Sequence, residues 1–357
     1  MSEVKPLSIL VFGAGAIGTY VGGSLVQTGQ RVVFIEQASV AAGLRERGLR
    51  LDVSIDSHRG MAEALVIPPA SFEVVDSPAQ ALEHGPFDVA IFAMKSFDTA
   101  PALEELNPYV DKMPPILCLQ NGVDNEPAIA AVLGRNRVIA GTVTCSIARR
   151  APGDIVLEKA RGIGVAGGHP LSERLVDALN AASLNAHLYP SAADMKWSKV
   201  LMNLPGGATS AILDMSPAEV FGHPGLFHLE MRLSDEAKAV MKAEGAHPVD
   251  LPGTPVRLLA LASRLPGFVA RPLMVKAVGG GRGGKMPSYY IDLHAGRKQS
   301  EVEWLHGAVM RHGEKLGVPT PVARVLTGTL LAMVRGEIPI AEFSRQPEKL
   351  IAMAAKK

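Results

Sequence analysis

Three closely spaced glycines near the start of the chain are suited to binding phosphate groups. The apolar run 8–12 ends in Gly-Ala-Gly-Ala-Ile-Gly, and a run of helical character follows it up to residue 28. Glycines at this spacing permit a tight turn and a close approach of the backbone, and the N–H groups that open the helix face the anion. The motif predicts a site for the pyrophosphate of a nicotinamide or flavin dinucleotide, formed by Gly13, Gly15, Ala16, Ile17 and Gly18.

An acidic residue follows at the distance that a ribose requires. The second apolar run, 31–35, ends in Glu36 and Gln37, and Glu36 lies eighteen residues after Gly18. In dinucleotide-binding folds, an acid at about this distance accepts hydrogen bonds from the ribose hydroxyls. We therefore expect Glu36 and Gln37 beside the adenosine ribose.

A second group of polar residues falls on one face of a predicted helix. Lys196, Lys199 and Asn203 are spaced by three and four residues, which places them on the same face. A lysine there could donate a proton to a carbonyl oxygen while an amide holds the substrate. The residues alone favour a plainer interpretation, because lysine-rich helix faces usually meet water.

Other catalytic chemistries lack their motifs. The ten histidines form no H-E-x-x-H pattern and no Cys-x-x-Cys pair occurs, so we expect no metal. No G-x-S-x-G elbow is present for a nucleophilic serine. Residues 279–285 match the phosphate loop G-x-x-x-x-G-K, but Met286 stands where a hydroxyl would hold Mg²⁺. We interpret 279–285 as a mobile loop or lid.

Composition indicates a two-domain enzyme that binds neither nucleic acid nor membranes. The 357 residues suggest two domains at ~150 residues each. A net charge of +1, with arginines and lysines scattered, provides no basic surface for nucleic acid or an anionic membrane. Cys118 and Cys145 lie in apolar segments, so we expect no disulfide and a cytoplasmic location.

The elements that must position these residues alternate between strand and helix in the first half of the chain. The pattern predicts strands at 8–12, 31–36, 88–93, 116–119 and 138–141, with helices at 16–28, 38–47, 98–106 and 125–133. Such alternation is typical of a Rossmann-type α/β domain with a parallel sheet, here over 1–190. Lys95 and Asn121 follow two of these strands, at the ends where ligands bind. We expect 49–76 and 153–166 to extend the sheet edge as hairpins.

The second half, 191–357, predicts an all-α domain. Helical periodicity runs through 191–204, 209–214, 217–220, 226–245, 300–317, 321–334 and a final segment after residue 340. The interval 248–287 is rich in proline and glycine, and we expect one helix near 255–263 within it.

Together these motifs resemble the ketopantoate reductase (2-dehydropantoate 2-reductase) family. The resemblance rests on the glycine motif, Lys95, Gln120-Asn121-Gly122, Lys199 with Asn203, and Ser288, Asp292, Arg297 and Glu301. It implies a Rossmann-type domain, an all-α domain similar to the C-terminal domain of 6-phosphogluconate dehydrogenase, and a site between the two. The implied reaction is the NADP(H)-dependent reduction of ketopantoate to (R)-pantoate in pantothenate biosynthesis, by a monomer or homodimer.

The resemblance also implies a role for each site residue. Lys199 would be the general acid that protonates the C2 carbonyl oxygen, and Glu301 the carboxylate that supports it. Asn203 and Ser288 would bind the substrate, and two residues would lie near both cofactor and substrate: Asn121 and Lys95.

Two positions depart from the family pattern. Glu36 and Gln37 stand where many members carry a basic residue for the NADPH 2′-phosphate, and a carboxylate repels that phosphate, so NAD(H) is an alternative cofactor. Gly207 stands where the family usually has a second asparagine. Glu36, Gly207 and the interval 248–287, which is enlarged relative to the family, favour an alternative function, an NADH-dependent D-2-hydroxyacid dehydrogenase with another substrate. A third hypothesis is a dinucleotide sensor without catalytic activity.

Overall fold

The chain divides into two compact units. The computed structural model describes residues 5–60, 62–261, 265–276 and 286–355. Unit 1 comprises Met1–Lys196 and Leu251–Thr254, and unit 2 comprises Trp197–Asp250 and Pro255–Lys357. The lid predicted at 279–285 lies outside the described residues.

Strands and helices alternate through residues 8–143 of unit 1 at the positions predicted, and three further strands follow before the next helix. The strands are β1 Ser8–Phe12, β2 Arg31–Ile35, β3 Leu49–Asp52, β4 Leu65–Ile67, β5 Glu73–Val75, β6 Val89–Phe92, β7 Ile116–Cys118, β8 Val138–Val143, β9 Ser146–Ala151, β10 Asp154–Lys159, β11 Ile163–Ala166 and β12 Ala186–Tyr189. The helices are α1 Ala16–Gln27, α2 Ala38–Arg47, α3 Pro78–Glu83, α4 Thr99–Leu106, α5 Asn125–Leu133 and α6 Ser172–Ala181.

The main sheet has the order β12-β11-β8-β7-β6-β1-β2-β5. Its neighbouring strands pair in parallel, except that β11 runs antiparallel to β8. The order reverses between β1 and β6, because β1 pairs with β2 on one side and with β6 on the other. A crevice for a ligand forms at the carboxyl ends of the strands at such a point. The predicted parallel α/β fold is confirmed.

Both faces of the main sheet are buried. On β1, Ile9 and Val11 belong to one hydrophobic core, while Leu10 and Phe12 belong to a second core. A strand that is covered on both faces needs apolar residues at consecutive positions, which explains the unbroken apolar run at 8–12.

A second sheet, in the order β4-β3-β10-β9, is where the prediction of edge hairpins fails. Of the segments expected to extend the main sheet, only β5 and β11 do so. Helix α1 explains why β3, β4 and β10 form a separate sheet. It is buried continuously from Gly18 to Val26, so other elements must pack against it on more than one side. A Cβ at Gly22 would lie 2.5 Å from the Phe34 ring of the main sheet, and one at Gly23 would lie 3.0 Å from Leu51 of the second sheet.

The described part of unit 2 is all-α, as predicted. Helix α7, Ala192–Asn203, begins in unit 1 and ends in unit 2. The following helices are α8 Gly207–Leu213, α9 Pro217–Gly222, α10 Pro224–Ala243, α11 Val256–Leu261, α12 Gly267–Met274, α13 Ser288–His294, α14 Val302–Leu316, α15 Pro321–Arg335 and α16 Pro347–Ala355. Within the described ranges, no helix combines the length and the apolar character needed to cross a bilayer.

Candidate functional site

The turn between β1 and α1 allows a ligand to approach the backbone closely. A Cβ at Gly18 would lie 1.7 Å from the carbonyl oxygen of Gly13, so only glycine fits there. At Gly15, a Cβ would meet no described atom within 4 Å, so the space beside this residue is open. No side chain of the described residues caps α1, and its first turn holds no acidic residue. Its first N–H groups are therefore suited to an anion.

Glu36 lies directly beside this turn. Its Oε1 accepts a hydrogen bond from the N–H of Ala14 at 2.5 Å, and its Oε2 accepts one from the N–H of Gln37 at 3.2 Å. The next basic residue along the chain is Arg45, whose Nε donates to the carbonyl oxygen of Val74 at 3.0 Å. The end of β2 thus presents a carboxylate and an amide.

These features fit a dinucleotide. The open space at Gly15 and the α1 N-terminus suit a pyrophosphate, and the Glu36 carboxylate suits a ribose diol. No cluster of histidine, cysteine or acidic side chains in the described part of the chain has the composition to hold a metal ion.

The β6 loop, residues 93–98, is bonded to the β7 loop, residues 119–124. Ser96 Oγ donates to the carbonyl oxygen of Asn121 at 2.9 Å, and Gln120 Nε2 donates to the carbonyl oxygen of Lys95 at 3.3 Å. The structure therefore brings the loops of Lys95 and Asn121 together at one edge of the main sheet. Both of these residues are half-buried.

Buried side chains beneath the two loops complete the network. Asn125 Nδ2 donates to the Asn121 carbonyl oxygen at 2.7 Å and to Ser96 Oγ at 3.2 Å. Thr99 Oγ1 donates to Asn125 Oδ1 at 3.0 Å and accepts from Gln120 Nε2 at 2.8 Å. A buried polar network that satisfies its own members holds the backbone in one arrangement.

Lys196 extends this network as a buried cation. Its Nζ lies 2.6 Å from Glu126 Oε1 and donates to the carbonyl oxygens of Gln120 at 2.7 Å and Gly141 at 3.2 Å. Burial acts to lower the pKa of Lys196, but the Glu126 carboxylate outweighs it, and the pKa lies above its ordinary value. The interpretation that the α7 lysines meet water is wrong, since Lys196 is 4% exposed and Lys199 is 6% exposed. The 3.6-residue period identified their shared face but not what covers it.

The other predicted site residues belong to unit 2. Lys199 and Asn203 lie on α7, Ser288 is the first residue of α13, and Glu301 is the N-cap residue of α14. Lys199 and Glu301 are buried, Asn203 is half-buried, and Ser288 is exposed.

Tyr289 connects the segments that carry three of these residues. A Cβ at Gly207, which begins α8 shortly after Asn203, would meet carbons of the Tyr289 ring at 3.1 and 3.4 Å. The same ring lies 5.8 Å, centroid to centroid, from the ring of His306 on α14. Tyr289 follows Ser288 directly, and His306 lies just over one turn after Glu301. This packing thus brings together the segments of Asn203, Ser288 and Glu301.

His306 is fully buried. Within the described residues, neither of its ring nitrogens has a hydrogen-bond partner. Burial lowers its pKa to about 3, so the ring is neutral in the folded protein at physiological pH.

Two acidic residues that shape the site were missed in the sequence. Glu126 pairs with Lys196, and Glu230, 2% exposed, accepts from the N–H of Gly206 at 2.8 Å and from Thr209 Oγ1 at 2.5 Å. Glu230 therefore holds the turn between α7 and α8. A signal existed for it, because Glu230 lies at helical spacing from Leu226, Phe227 and Leu233 on the apolar face of α10, where an acid needs buried partners.

The comparisons with known proteins agree across most of the chain. The family model described as ketopantoate reductase PanE/ApbA matches residues 9–167, and the model of its C-terminal part matches residues 192–334. The 2-dehydropantoate 2-reductase of Streptococcus pyogenes serotype M3 is 23% identical over 324 residues, which cover 89% of this chain and 95% of the relative.

Solved structures share the fold. A PanE/ApbA family ketopantoate reductase from Ralstonia eutropha JMP134 superposes with a TM-score of 0.76 at 22% identity, covering 93% of this chain and 99% of that one. D-mandelate dehydrogenase in a ternary structure with NADH and anilino(oxo)acetate superposes with a TM-score of 0.72 at 22% identity, covering 92% and 99%.

Proposed function

The chain belongs to the ketopantoate reductase family PanE/ApbA, and from this membership we propose that it reduces a 2-oxo acid to the (R)-2-hydroxy acid with a nicotinamide dinucleotide. The first candidate substrate is 2-dehydropantoate, which gives (R)-pantoate. The observation that supports the reaction best is the buried Lys199 with Asn203 one turn later on α7. A lysine side chain that is shielded from solvent can donate a proton to a carbonyl oxygen without competing hydrogen bonds from water.

In this proposal, unit 1 holds the cofactor. Gly13, Gly15 and the first turn of α1 from Ala16 to Gly18 would hold the pyrophosphate. Glu36 and Gln37 would hold the adenosine ribose. When bound, the reduced nicotinamide supplies a hydride to the carbonyl carbon of the substrate.

Unit 2 supplies the proton. Lys199 donates it from Nζ to the C2 carbonyl oxygen, where negative charge develops, and general-acid assistance of this kind contributes ~10²–10⁴ in rate. Glu301 holds the reacting groups. The substrate's hydroxyl and carboxylate are bound by Asn203 and Ser288, and the proposed contacts from unit 1 are Lys95 and Asn121.

A second candidate function is the NADH-dependent reduction of a different 2-oxo acid. Glu36 favours it, because its carboxylate at the glycine turn repels the 2′-phosphate of NADPH. Gly207 also favours it, because the Tyr289 ring occupies the place beside it where the family usually has an amide. An aromatic ring favours a substrate with an apolar substituent. The D-mandelate dehydrogenase structures, solved with NADH, give this alternative a parallel on the same fold.

The test is a matrix of initial rates measured at 340 nm. NADPH and NADH are each combined with 2-dehydropantoate, phenylglyoxylate and branched aliphatic 2-oxo acids. Efficient turnover of 2-dehydropantoate supports the first candidate, and turnover of another 2-oxo acid with NADH supports the second. Dinucleotide binding without turnover of any 2-oxo acid would contradict both and support the sensor hypothesis.

Exchanging the charge at the end of β2 tests the cofactor assignment. We expect the double variant Glu36→Gln/Gln37→Arg to raise the ratio of kcat/KM for NADPH over NADH at least ~10-fold, or about 1.4 kcal/mol. The reason is that the variant removes a carboxylate and adds a cation where the 2′-phosphate would lie. Glu46→Gln, which removes an exposed carboxylate from α2, is the matched control and leaves the ratio unchanged. An unchanged ratio in the double variant would place the ribose elsewhere.

A further inference from the structure

We infer that Lys196 and Glu126 form a clamp that positions the β7 loop, and with it Asn121, for ligand binding. The inference rests on the proposed function, in which Asn121 contacts cofactor and substrate. Neither clamp residue touches a ligand in this proposal, so both are positioning residues.

Three oxygen atoms surround the ammonium of Lys196. They belong to Gln120 after β7, Gly141 in β8 and Glu126 in α5, at 2.7, 3.2 and 2.6 Å from Nζ. Two carbonyl oxygens accept hydrogen bonds from the ammonium and the Glu126 carboxylate pairs with its charge, so groups from three elements determine its position. The cation therefore joins one loop, one strand and one helix at a single point.

The Gln120 contact acts directly on Asn121. The carbonyl of Gln120 and the N–H of Asn121 belong to the same planar peptide group, so fixing the oxygen fixes the plane. On the other side, the Asn121 carbonyl oxygen accepts hydrogen bonds from Ser96 and Asn125 at 2.9 and 2.7 Å. Both peptide groups that flank Asn121 are thus held, so the direction of its Cα–Cβ bond is fixed.

Glu126 provides the charge that keeps the clamp closed. A buried lysine without a counterion tends to lose its proton, and a neutral amine makes weaker hydrogen bonds to carbonyls than an ammonium makes. The Glu126 carboxylate opposes that loss. Glu126 contacts Lys196 and not Gln120 in this pair, but by keeping Lys196 charged it strengthens the hydrogen bond from Lys196 to Gln120.

The decisive variant is the double substitution Lys196→Met/Glu126→Gln in the full chain. It removes both charges, so it leaves no unpaired ion in the interior. We expect amide hydrogen exchange across residues 119–126, measured without cofactor, to become at least ~10-fold faster, because the backbone loses a buried, charge-assisted restraint. We also expect the Kd for NADH and NADPH, measured by cofactor fluorescence, to rise at least ~5-fold.

The matched control is another buried ion pair of unit 1. Arg59 and Asp56 lie 3.3 Å apart with side chains 6% exposed, and Arg59 contacts Ser24 in the second half of α1. Arg59→Met/Asp56→Asn removes a comparable pair away from the two loops. We expect it to lower Tm while exchange at 119–126 and both Kd values stay at the wild-type level.

The outcomes separate positioning from general stability. A folded double variant with wild-type exchange at 119–126 and wild-type Kd would overturn the clamp, even if its Tm falls. If that variant does not fold, Glu126→Gln alone decides, because its amide keeps one oxygen beside Nζ and removes the negative charge, and we expect about 3-fold faster exchange. Faster exchange in a chain whose wild type binds no dinucleotide would support the clamp and overturn the proposed function.

Discussion

Two regions of the molecule hold their proposed site residues by different means. In unit 1, the β6 and β7 loops are joined by hydrogen-bonded side chains and by the ion pair of Lys196 with Glu126. In unit 2, the starts of α8, α13 and α14 are joined by the packing of Tyr289 on Gly207 and His306. The difference follows from the backbone, because a loop after a strand leaves peptide groups unpaired, whereas a helix satisfies most of its own.

The buried polar groups of the two regions reflect this difference. Ser96, Thr99, Gln120 and Asn125 are all buried, and a continuous chain of hydrogen bonds runs from Ser96 through Asn125 and Thr99 to Gln120. His306 is equally buried and has no hydrogen-bond partner for its ring among the described residues. Substitutions in the two loops of unit 1 should therefore act mainly on loop geometry, whereas substitutions at Tyr289 and His306 of unit 2 should act mainly on packing and pH sensitivity.

The two lysines of α7 should give the largest contrast. We expect Lys199→Ala to lower kcat at least ~10²-fold with the fold intact, because the proposed proton donor is lost. Steady-state kinetics and circular dichroism measure the two quantities. Lys242→Ala, which removes an exposed lysine from α10, is the control with unchanged kcat. Near-normal turnover by Lys199→Ala would contradict the proposed role.

Lys196→Met should instead lower stability. Removing one partner of a buried ion pair leaves the Glu126 charge uncompensated, which costs about 3–5 kcal/mol in the free energy of unfolding. Urea denaturation measures the loss, and adding Glu126→Gln should recover most of it. A loss below about 1 kcal/mol for the single variant would show that this region does not depend on the ion pair.

The neutral His306 should make unit 2 sensitive to acid. Its pKa is lowered to about 3, so below pH 6.5 the unfolded chain binds a proton that the folded chain does not, and stability falls as pH drops from about 6.5 towards 3. We expect His306→Leu to lessen the loss of unfolding free energy between pH 7 and pH 5 by about 2 kcal/mol. The control His228→Gln changes an exposed histidine of α10 and should keep the wild-type slope. Equal slopes in wild type and His306→Leu would mean that His306 is protonated in the folded state.

The smallest effect is expected at the contact between Gly207 and Tyr289. A Cβ at Gly207 would lie 3.1 Å from the ring, so Gly207→Ala should displace Tyr289 and cost about 1 kcal/mol in unfolding free energy. Because Ser288 precedes Tyr289, the KM for the 2-oxo acid should rise with little change in kcat. Gly328→Ala, on α15 with nothing within 4 Å of the new Cβ, is the control. An unchanged KM would separate Tyr289 from substrate binding.

Local patterns in the chain were enough to predict most elements and both kinds of domain. The apolar run of β1, the glycine motif and the periodicity of α7, α10, α14 and α15 are confirmed as elements, because each depends on residues within a few positions of one another. The roles proposed for Lys199, Glu301, Asn203 and Ser288 came from family resemblance and stay predictions.

Contacts between distant parts of the chain were decided only by the tertiary structure. The second sheet packs against α1 and buries a second side of this helix. No local pattern in residues 49–76 predicts this contact. Lys196 and Gln120 are 76 residues apart, and nothing near Lys196 in the sequence distinguishes it from a solvent-exposed lysine. Spacing along a helix assigns a residue to a face, whereas burial and ion pairing depend on what the fold places against that face.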